Sequence, residues 1–339
     1  MTENSVLTHR NVGVLAVEAV EAPEVVTSAW IDEQLAETYE RVGVRPGLLT
    51  SVAGIEARRW WPADVTFDQA AARAGQKAID AAGIDPGDID MLISTSVCKH
   101  HLEPSVACAV HHQLALSPGC ANFDLGNACL GFVNAMTLAA TAIEAGRARN
   151  VLIVDGEGSR HTQLTTIERL QAPSTTLTEV FDQFASLTLG SGAAAMVMGP
   201  PREAGHAFLG GVTRAATQHH DLCVGDLDRM RTDTAALLVG GLDLARDTLD
   251  EAMAEGWKWL DCDRYVMHQV SSVHTSKLCE LLGIDPAKAP LTYPEFGNIG
   301  PAAVPYTLST VADELRPGDR VLLMGIGSGL NCSVVELVW

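Results

Sequence analysis

Of 339 residues, 23 are Lys or Arg and 42 are Asp or Glu, a net charge of −19 at neutral pH, with 47% of the chain hydrophobic and 19% charged. Length and composition fit about two domains or one large duplicated unit and exclude a disordered chain. The charge argues against a nucleic-acid groove or an anionic membrane surface, and an anion such as coenzyme A would need a local basic patch.

In chain order, Val12–Val17 reads as a strand and Phe67–Ala82 as an alanine-rich helix. Met91–Thr95 is a strand, Ser105–Leu114 a helix and Asn122–Asp124 a short strand. Leu130–Ala145 reads as a buried helix, because the apolar run from Ala128 to Ile143 carries Asn134, Thr137 and Thr141 and is too short to span a membrane. Strands follow at Val151–Asp155, Ala193–Met198 and Phe208–Thr213. After these come a helix at Thr234–Ala254, a strand at Arg264–His268 and helices at Ser272–Leu282 and Ala302–Glu314. Arg320–Met324 and Cys332–Val338 complete the strands. Alternation of this kind predicts an α/β layered fold. The first ten residues lack the basic start and apolar run of a signal peptide, so a cytoplasmic location is expected. Eight scattered cysteines without a CxxC fit reduced thiols.

The order strand, long helix, strand, loop, helix occurs twice. Asp90-Met-Leu-Ile matches Asp263-Arg-Tyr-Val (263 − 90 = 173), Gly126-Asn127 matches Gly297-Asn298 (171), and Val151-Leu-Ile-Val matches Val321-Leu-Leu-Met (170). Near-equal offsets predict an internal duplication, with halves of 1–200 and 205–339. Pro200-Pro201 and Gly210-Gly211 would mark the passage between them. Weak periodicity in 158–187 reads as an excursion, either a cap or a dimer element.

Four positions stand out chemically. Cys129 sits between a short strand and an apolar helix, flanked by Gly126 and Gly131. A tight turn there would place the thiol at a helix N-terminus, where the dipole favours thiolate and a backbone N–H can hold an oxyanion. The alternative is a small buried cysteine. His268 ends an apolar strand, where α/β sheets open to ligands; a core histidine is the other reading. Asn298 occupies the turn duplicated from that of Cys129, although Asn also suits a left-handed turn on its own account. Ser328, in Gly325-Ile-Gly-Ser-Gly-Leu-Asn, precedes a strand and no helix, so it fits a turn donating an oxyanion N–H better than a dinucleotide loop. The His pairs lack a metal-ligand set, and no Gly-Xaa-Ser-Xaa-Gly elbow appears.

Taken together, the duplicated halves, the Gly126-Asn-Ala-Cys turn, His268-Gln269, Gly297-Asn-Ile-Gly-Pro-Ala and Gly325-Ile-Gly-Ser-Gly-Leu-Asn-Cys-Ser resemble the thiolase superfamily, in its β-ketoacyl-acyl-carrier-protein synthase III branch. The resemblance covers essentially the whole chain. Thr95-Ser-Val, Leu102-Glu-Pro-Ser and Leu227-Asp-Arg-Met-Arg-Thr-Asp-Thr are further similar to the OleA-type acyl-CoA condensing enzymes of bacterial long-chain olefin biosynthesis. This resemblance implies a layered α-β-α-β-α fold and a Claisen condensation of two fatty acyl-CoAs without decarboxylation. Cys129 would carry the acyl group, its thiolate stabilised by the helix start and His268. His268 and Asn298 would bind the enolate, and N–H groups of Cys129 and Ser328 the oxyanion.

Without decarboxylation, an α-proton must be removed by a base. In that family the base is a glutamate of the neighbouring subunit, which Glu103 matches; otherwise Glu103 is a solvated carboxylate flanking the Ser105 helix. The resemblance further implies a homodimer, no cofactor beyond the substrates' coenzyme A, and downstream pathway enzymes leading to olefin, ketone or β-lactone. Arg58 and Arg59, beside Trp60 and Trp61, are candidates for the coenzyme A phosphates or for ordinary ion pairs. Two alternatives stay open: a malonyl-dependent, decarboxylating synthase III, and a non-catalytic partner subunit.

Overall fold

The computed structural model describes residues 5–202 and 206–339, so the first four residues and part of the proposed passage between halves lie outside the described residues. Ten strands are β1 (Val6–Thr8), β2 (Gly13–Glu21), β3 (Met91–Ser94), β4 (Ala121–Asp124), β5 (Val151–Glu157), β6 (Gly192–Gly199), β7 (His206–Ala215), β8 (Arg264–Met267), β9 (Arg320–Gly327) and β10 (Asn331–Val338). They form one sheet in the order β8-β9-β10-β7-β2-β6-β5-β3-β4, with β1 paired to β7. Helices that pack on this sheet include α1 (Phe67–Ala82), α2 (Val106–Gln113), α3 (Gly131–Glu144), α4 (Thr234–Ala254), α5 (Ser272–Leu282) and α6 (Ala303–Val311).

Strand pairing repeats across the sheet. β3 runs parallel to β5, which is antiparallel to β6, which is antiparallel to β2. In the same way β8 runs parallel to β9, then β10 and β7 follow antiparallel. The matched aspartates also do one job twice. Asp90 accepts from the N–H of Asn150 at 3.1 Å and Asp263 from that of Arg320 at 2.9 Å, each tying down the start of the next parallel strand. The two sets of strands meet where β2 pairs β7, at Gly13 and Val14.

Layering follows from where apolar residues fall. In α3, Phe132, Met136 and Ala140 are fully buried, and buried positions run round most of the helix. An all-round apolar helix belongs in a core. It packs with Val304 and Leu308 of α6 against strands of both halves. Outside the first half lie α1 and α2, where Ala70, Ala71, Ala74 and Ala78 let α1 approach the sheet closely. A Cβ on Gly156 of β5 would meet the Phe67 carbonyl oxygen at 2.2 Å. Outside the second half lie α4 and α5. The result is the expected α-β-α-β-α arrangement. No helix among the described residues is long and apolar enough to cross a membrane.

One expectation needs correction. Gly210 and Gly211 do not lie in a passage but inside β7. Cβ atoms there would strike the carbonyl oxygens of Leu7 at 2.1 Å and Val334 at 1.9 Å, so close strand approach explains both glycines. The excursion at 158–187 is helical, with helices Arg160–Leu170, Leu177–Asp182 and Phe184–Thr188. Its periodicity was hidden because the buried face is polar. Thr162, Gln163 and Thr166 are buried, and the Gln163 amide donates to the carbonyls of Leu187 at 3.2 Å and Leu189 at 2.8 Å. This segment packs on a hairpin of Glu24–Thr27 and Ala57–Trp60, around Ile31, Leu35, Tyr39, Trp60 and Leu170.

That hairpin also corrects the reading of Arg58 as a phosphate ligand. Its side chain is fully buried, donating to Ser28 Oγ at 3.0 Å and to the Leu187 carbonyl at 3.1 Å, so it faces no anion in solvent. Burial lowers its pKa to about 10 despite the nearby Asp32. Arg59 is spent on Glu21 at 2.6 Å and lies over the Phe296 ring, 4.9 Å from its centroid, which is the ion-pair alternative. Removing the guanidinium leaves the buried Ser28 hydroxyl and Leu187 carbonyl without their donor and an empty space where it stood. Arg58→Ala should therefore lower stability by about 3–5 kcal/mol, against less than about 1 kcal/mol for Arg59→Ala, as read from urea unfolding midpoints.

Candidate active site

Residues following β3, β4, β8 and β9 converge at the carboxyl ends of these parallel strands, on a cavity of about 760 Å³. Cys129, His268, Asn298 and Ser328 all line it. The residues picked out between Cys129 and Ser328 are thus brought to one chamber, as expected of a ligand crevice outside the ends of a sheet.

Local packing fixes the cysteine turn. Ala128, just before it, has φ +45°, a left-handed conformation uncommon outside glycine, and Gly131 then begins α3. The turn is pressed against the second half. A Cβ on Gly325 would meet Leu130 Cδ1 at 2.6 Å, and one on Gly327 would meet the Asn127 carbonyl oxygen at 2.9 Å. Asn127 Nδ2 donates to Asn134 Oδ1 at 2.7 Å, and Asn331 Nδ2 donates to Asn127 Oδ1 at 3.3 Å. Ser328 is half-buried between β9 and β10, beside this contact.

His268 follows β8 directly, and its N–H donates to the Met324 carbonyl at 2.7 Å. Asn298 is clasped by backbone bonds to the Phe184–Thr188 region. Its N–H donates to the Thr188 carbonyl at 2.9 Å, and its carbonyl accepts from Gly190 N–H at 2.9 Å. Asn298 Oδ1 accepts from Gly300 N–H at 3.0 Å, which leaves the amide NH₂ as the donor available to a ligand oxygen.

Electrostatics correct the expectation of a resting thiolate. Burial, then the nearby Glu157, pushes the Cys129 thiol up to about 12, outweighing the helix start. His268 is pushed down to about 4, chiefly by burial and secondarily by His274, while the Gly300 backbone opposes the shift. At neutral pH the pair is therefore thiol and neutral imidazole. A neutral imidazole at this position can accept a proton.

Glu157 and Asp155 were not singled out in the sequence, where they are two acidic residues in an apolar strand. Both are buried at the end of β5, and Glu157 lines the cavity. Its Oε1 accepts from the Val97 N–H at 2.6 Å, while Asp155 accepts from the Thr95 hydroxyl. Burial raises both carboxyls, Glu157 to about 7 and Asp155 well above its ordinary value, with Glu157 adding to the latter. A second element was also missed. The hairpin Cys223–Gly225 and Met230–Thr232 lies across the cavity, placing Cys223, Leu227 and Met230 in its wall. It is held by the 158–187 segment, through Thr162 Oγ1 to the Leu227 carbonyl at 2.8 Å and Arg169 to the Asp228 carbonyl at 2.6 Å.

Glu103 is not in the cavity of its own chain. It is exposed at a loop tip beside Leu102, which is fully exposed. The loop is nonetheless anchored. Glu157 holds Val97 at one end, and Lys99 pairs with Asp124 at 2.7 Å. Asp124 in turn accepts from Val106 and Ala107 at the start of α2.

Comparison with known proteins supplies the family. Residues 123–216 match the model described as 3-oxoacyl-[acyl-carrier-protein] synthase III, and residues 252–339 match its C-terminal counterpart. An acyl-CoA:acyl-CoA alkyltransferase of Xanthomonas campestris pv. campestris is 45% identical over 335 residues, covering 97% of this chain and 99% of that protein. This chain belongs to the OleA family of acyl-CoA:acyl-CoA alkyltransferases. A second member of that name, from Shewanella oneidensis, is 34% identical over 94% of this chain and 96% of its own length. A structure of a Cys-to-Ser variant of Xanthomonas campestris OleA with bound lauric acid and lauroyl-CoA superposes with a TM-score of 0.95 at 44% identity, covering 98% of this chain and all of that one. A cerulenin-bound OleA structure from the same organism gives 0.96 at 44% identity, with both chains fully covered. The fold of this OleA relative is accordingly thiolase-like, and the chain is an acyltransferase.

Two outcomes follow from the electrostatics. Below a thiol pKa near 12 the thiolate fraction rises tenfold per pH unit. Iodoacetamide labelling of Cys129, read by peptide mass spectrometry, should keep rising from pH 7 to 10 with no plateau near pH 8. Separately, the folded chain holds Glu157 protonated from its ordinary pKa of 4.5 up to about 7, where the unfolded chain releases the proton. Wild-type stability therefore falls as pH rises through that window. Gln cannot ionise, so the Tm of Glu157→Gln relative to wild type should increase between pH 5 and pH 8, measured by calorimetry.

Proposed function

We propose that this chain condenses two fatty acyl-CoAs head to head, without decarboxylation, through an acyl group held on Cys129. The observation that carries the reading is one apolar cavity, about 760 Å³, that Cys129, His268 and Asn298 line together. Cys129 Sγ attacks the first thioester carbonyl as its proton passes to His268, and the N–H groups of Cys129 and Ser328 hold the oxyanion. The C–S bond to coenzyme A breaks, and coenzyme A leaves as the thiol with that proton. A second acyl-CoA enters, and Glu103 of the partner subunit takes its α-proton while His268 and the Asn298 amide bind the enolate oxygen. The α-carbon attacks the acyl-Cys129 carbonyl, and the Cys129–acyl bond breaks to give a 2-alkyl-3-oxoacyl-CoA; the sulfur recovers a proton as Glu103 releases the one it took, restoring both groups. Hydrolysis of that thioester yields the β-keto acid that olefin, ketone or β-lactone formation would consume.

Several observations support this reading. OleA structures at 44% identity include variants with a Cys, a His and a Glu replaced, the residue types of Cys129, His268 and Glu103. A fully exposed Leu102 at the rim of the cavity, beside a carboxylate that does not line the cavity of its own chain, suits a homodimer in which the loop reaches across. We further propose halves of 1–200 and 205–339, a cytoplasmic location, and no cofactor beyond the coenzyme A of the substrates. The decarboxylating reading draws on the synthase III family models.

Incubation with myristoyl-CoA alone separates the two. Wild type should give the C27 ketone, two C14 chains less one CO₂, from decarboxylation of the β-keto acid. Glu103→Ala should keep acyl-Cys129 while product falls by about 100-fold or more, both read by mass spectrometry. Product from wild type only after malonyl-CoA is added would move the chain to the decarboxylating class.

A further inference from the structure

The cavity has a deep arm whose shape the reaction does not explain. Along β9 its wall is made of Leu322, Met324 and Ile326, alternate residues on one face, ending at Ser328. Six residues of strand span about 20 Å. On the opposite side α4 supplies Leu237, Gly241, Ala245 and Leu249, one stripe at i, i+4 spacing, and twelve residues of helix span about 18 Å. The arm thus runs from the catalytic residues back beneath α4.

Two residues define its ends and width. Trp259, 1% exposed, lines the cavity at the far end. It is placed there by Tyr265, whose hydroxyl donates to the Trp259 carbonyl at 2.9 Å and whose backbone pairs with Leu322. Nearer the thiol is Gly241. Two successive glycines in the middle of a 21-residue helix lower its propensity by about 1 kcal/mol each, so each needs a reason. Gly240 has one in packing, since a Cβ would crowd His219 and Leu330 at 3.2 Å. Gly241 has only the flexible tip of Ile326 at 3.2 Å, and otherwise faces the cavity. Its missing side chain is the bore of the arm.

We propose that Gly241 and Trp259 act together as a ruler for one of the two substrate alkyl chains, Gly241 admitting the chain and Trp259 stopping its end. This rests on the acyl-CoA condensation above. An extended chain advances about 1.25 Å per carbon, given C–C bonds of about 1.5 Å, so an arm of 18–20 Å measures about 14–16 carbons.

The test is a competition among even-chain acyl-CoAs from C8 to C20, with ketone lengths read by mass spectrometry. Gly241→Leu, which gains helix propensity and should fold, should shift one chain of the product at least about four carbons shorter, by blocking the arm near Ile326. Trp259→Ala should shift it about two to four carbons longer. Displacement of a fluorescent fatty acid by saturated acids of graded length should show the same opposite shifts without turnover, and so reads the ruler even if no ketone forms. Unchanged lengths in both folded variants, or shifts in one direction, would overturn the ruler and leave condensation standing. No ketone from wild type on acyl-CoA alone would instead overturn the reading beneath it.

Discussion

Everything at this site depends on one steric contact, the cysteine turn of the first half seated against Gly325 and Gly327 of the second. There is no room for a methyl group between them. The contact carries Cys129 to the chamber where His268 and Ser328 emerge from the other half, and the Asn127–Asn134 and Asn127–Asn331 bonds hold it there. Because the two glycines lie on the strand that leads to Ser328, shifting that strand would move Cys129 and Ser328 together. Preorganisation of this kind costs nothing at the moment of reaction, since it is set when the halves fold together.

A duplicated fold explains why such distant residues meet. Matching halves put equivalent turns at the same end of the structure, and Asp90 and Asp263 show the equivalence down to single hydrogen bonds. The halves then diverged where chemistry required it. One turn carries the thiol, while its counterpart carries Asn298, clasped by backbone bonds through Thr188 and Gly190. Around them burial favours the uncharged forms, with thiol and imidazole both neutral and the Glu157 carboxyl raised to about 7. Proton movement, rather than a standing ion pair, is what this environment favours.

Much of this was legible in the sequence, and the failures share a physical cause. Strands and helices whose burial is apolar stood out, so α1, α4 and α5 were found to the residue, and Cys129, His268 and Asn298 were marked by glycine-flanked turns and strand ends. Segments stabilised by polar burial did not stand out. The Arg160–Leu170 helix hides behind Thr162, Gln163 and Thr166, and Arg58 looked like a surface cation because nothing local reveals the carbonyls that surround it. Glu157 was passed over for the same reason, since only the folded chain shows an acidic residue facing a thiol. The thiolate expected at the helix start failed because a dipole effect of about 0.3–1 kcal/mol is smaller than the desolvation that burial imposes.

The apolar lining of the deep arm has a kinetic corollary. A chain whose end rests against Trp259 must be drawn out of these apolar surroundings before product can leave. Each methylene pulled back into water gives up about 0.8 kcal/mol, roughly a fourfold slowing per carbon if the full cost falls on departure. Longer products would then dwell longer, and turnover would come to be governed by how quickly the alkyl tail escapes and less by how quickly the carbon–carbon bond forms.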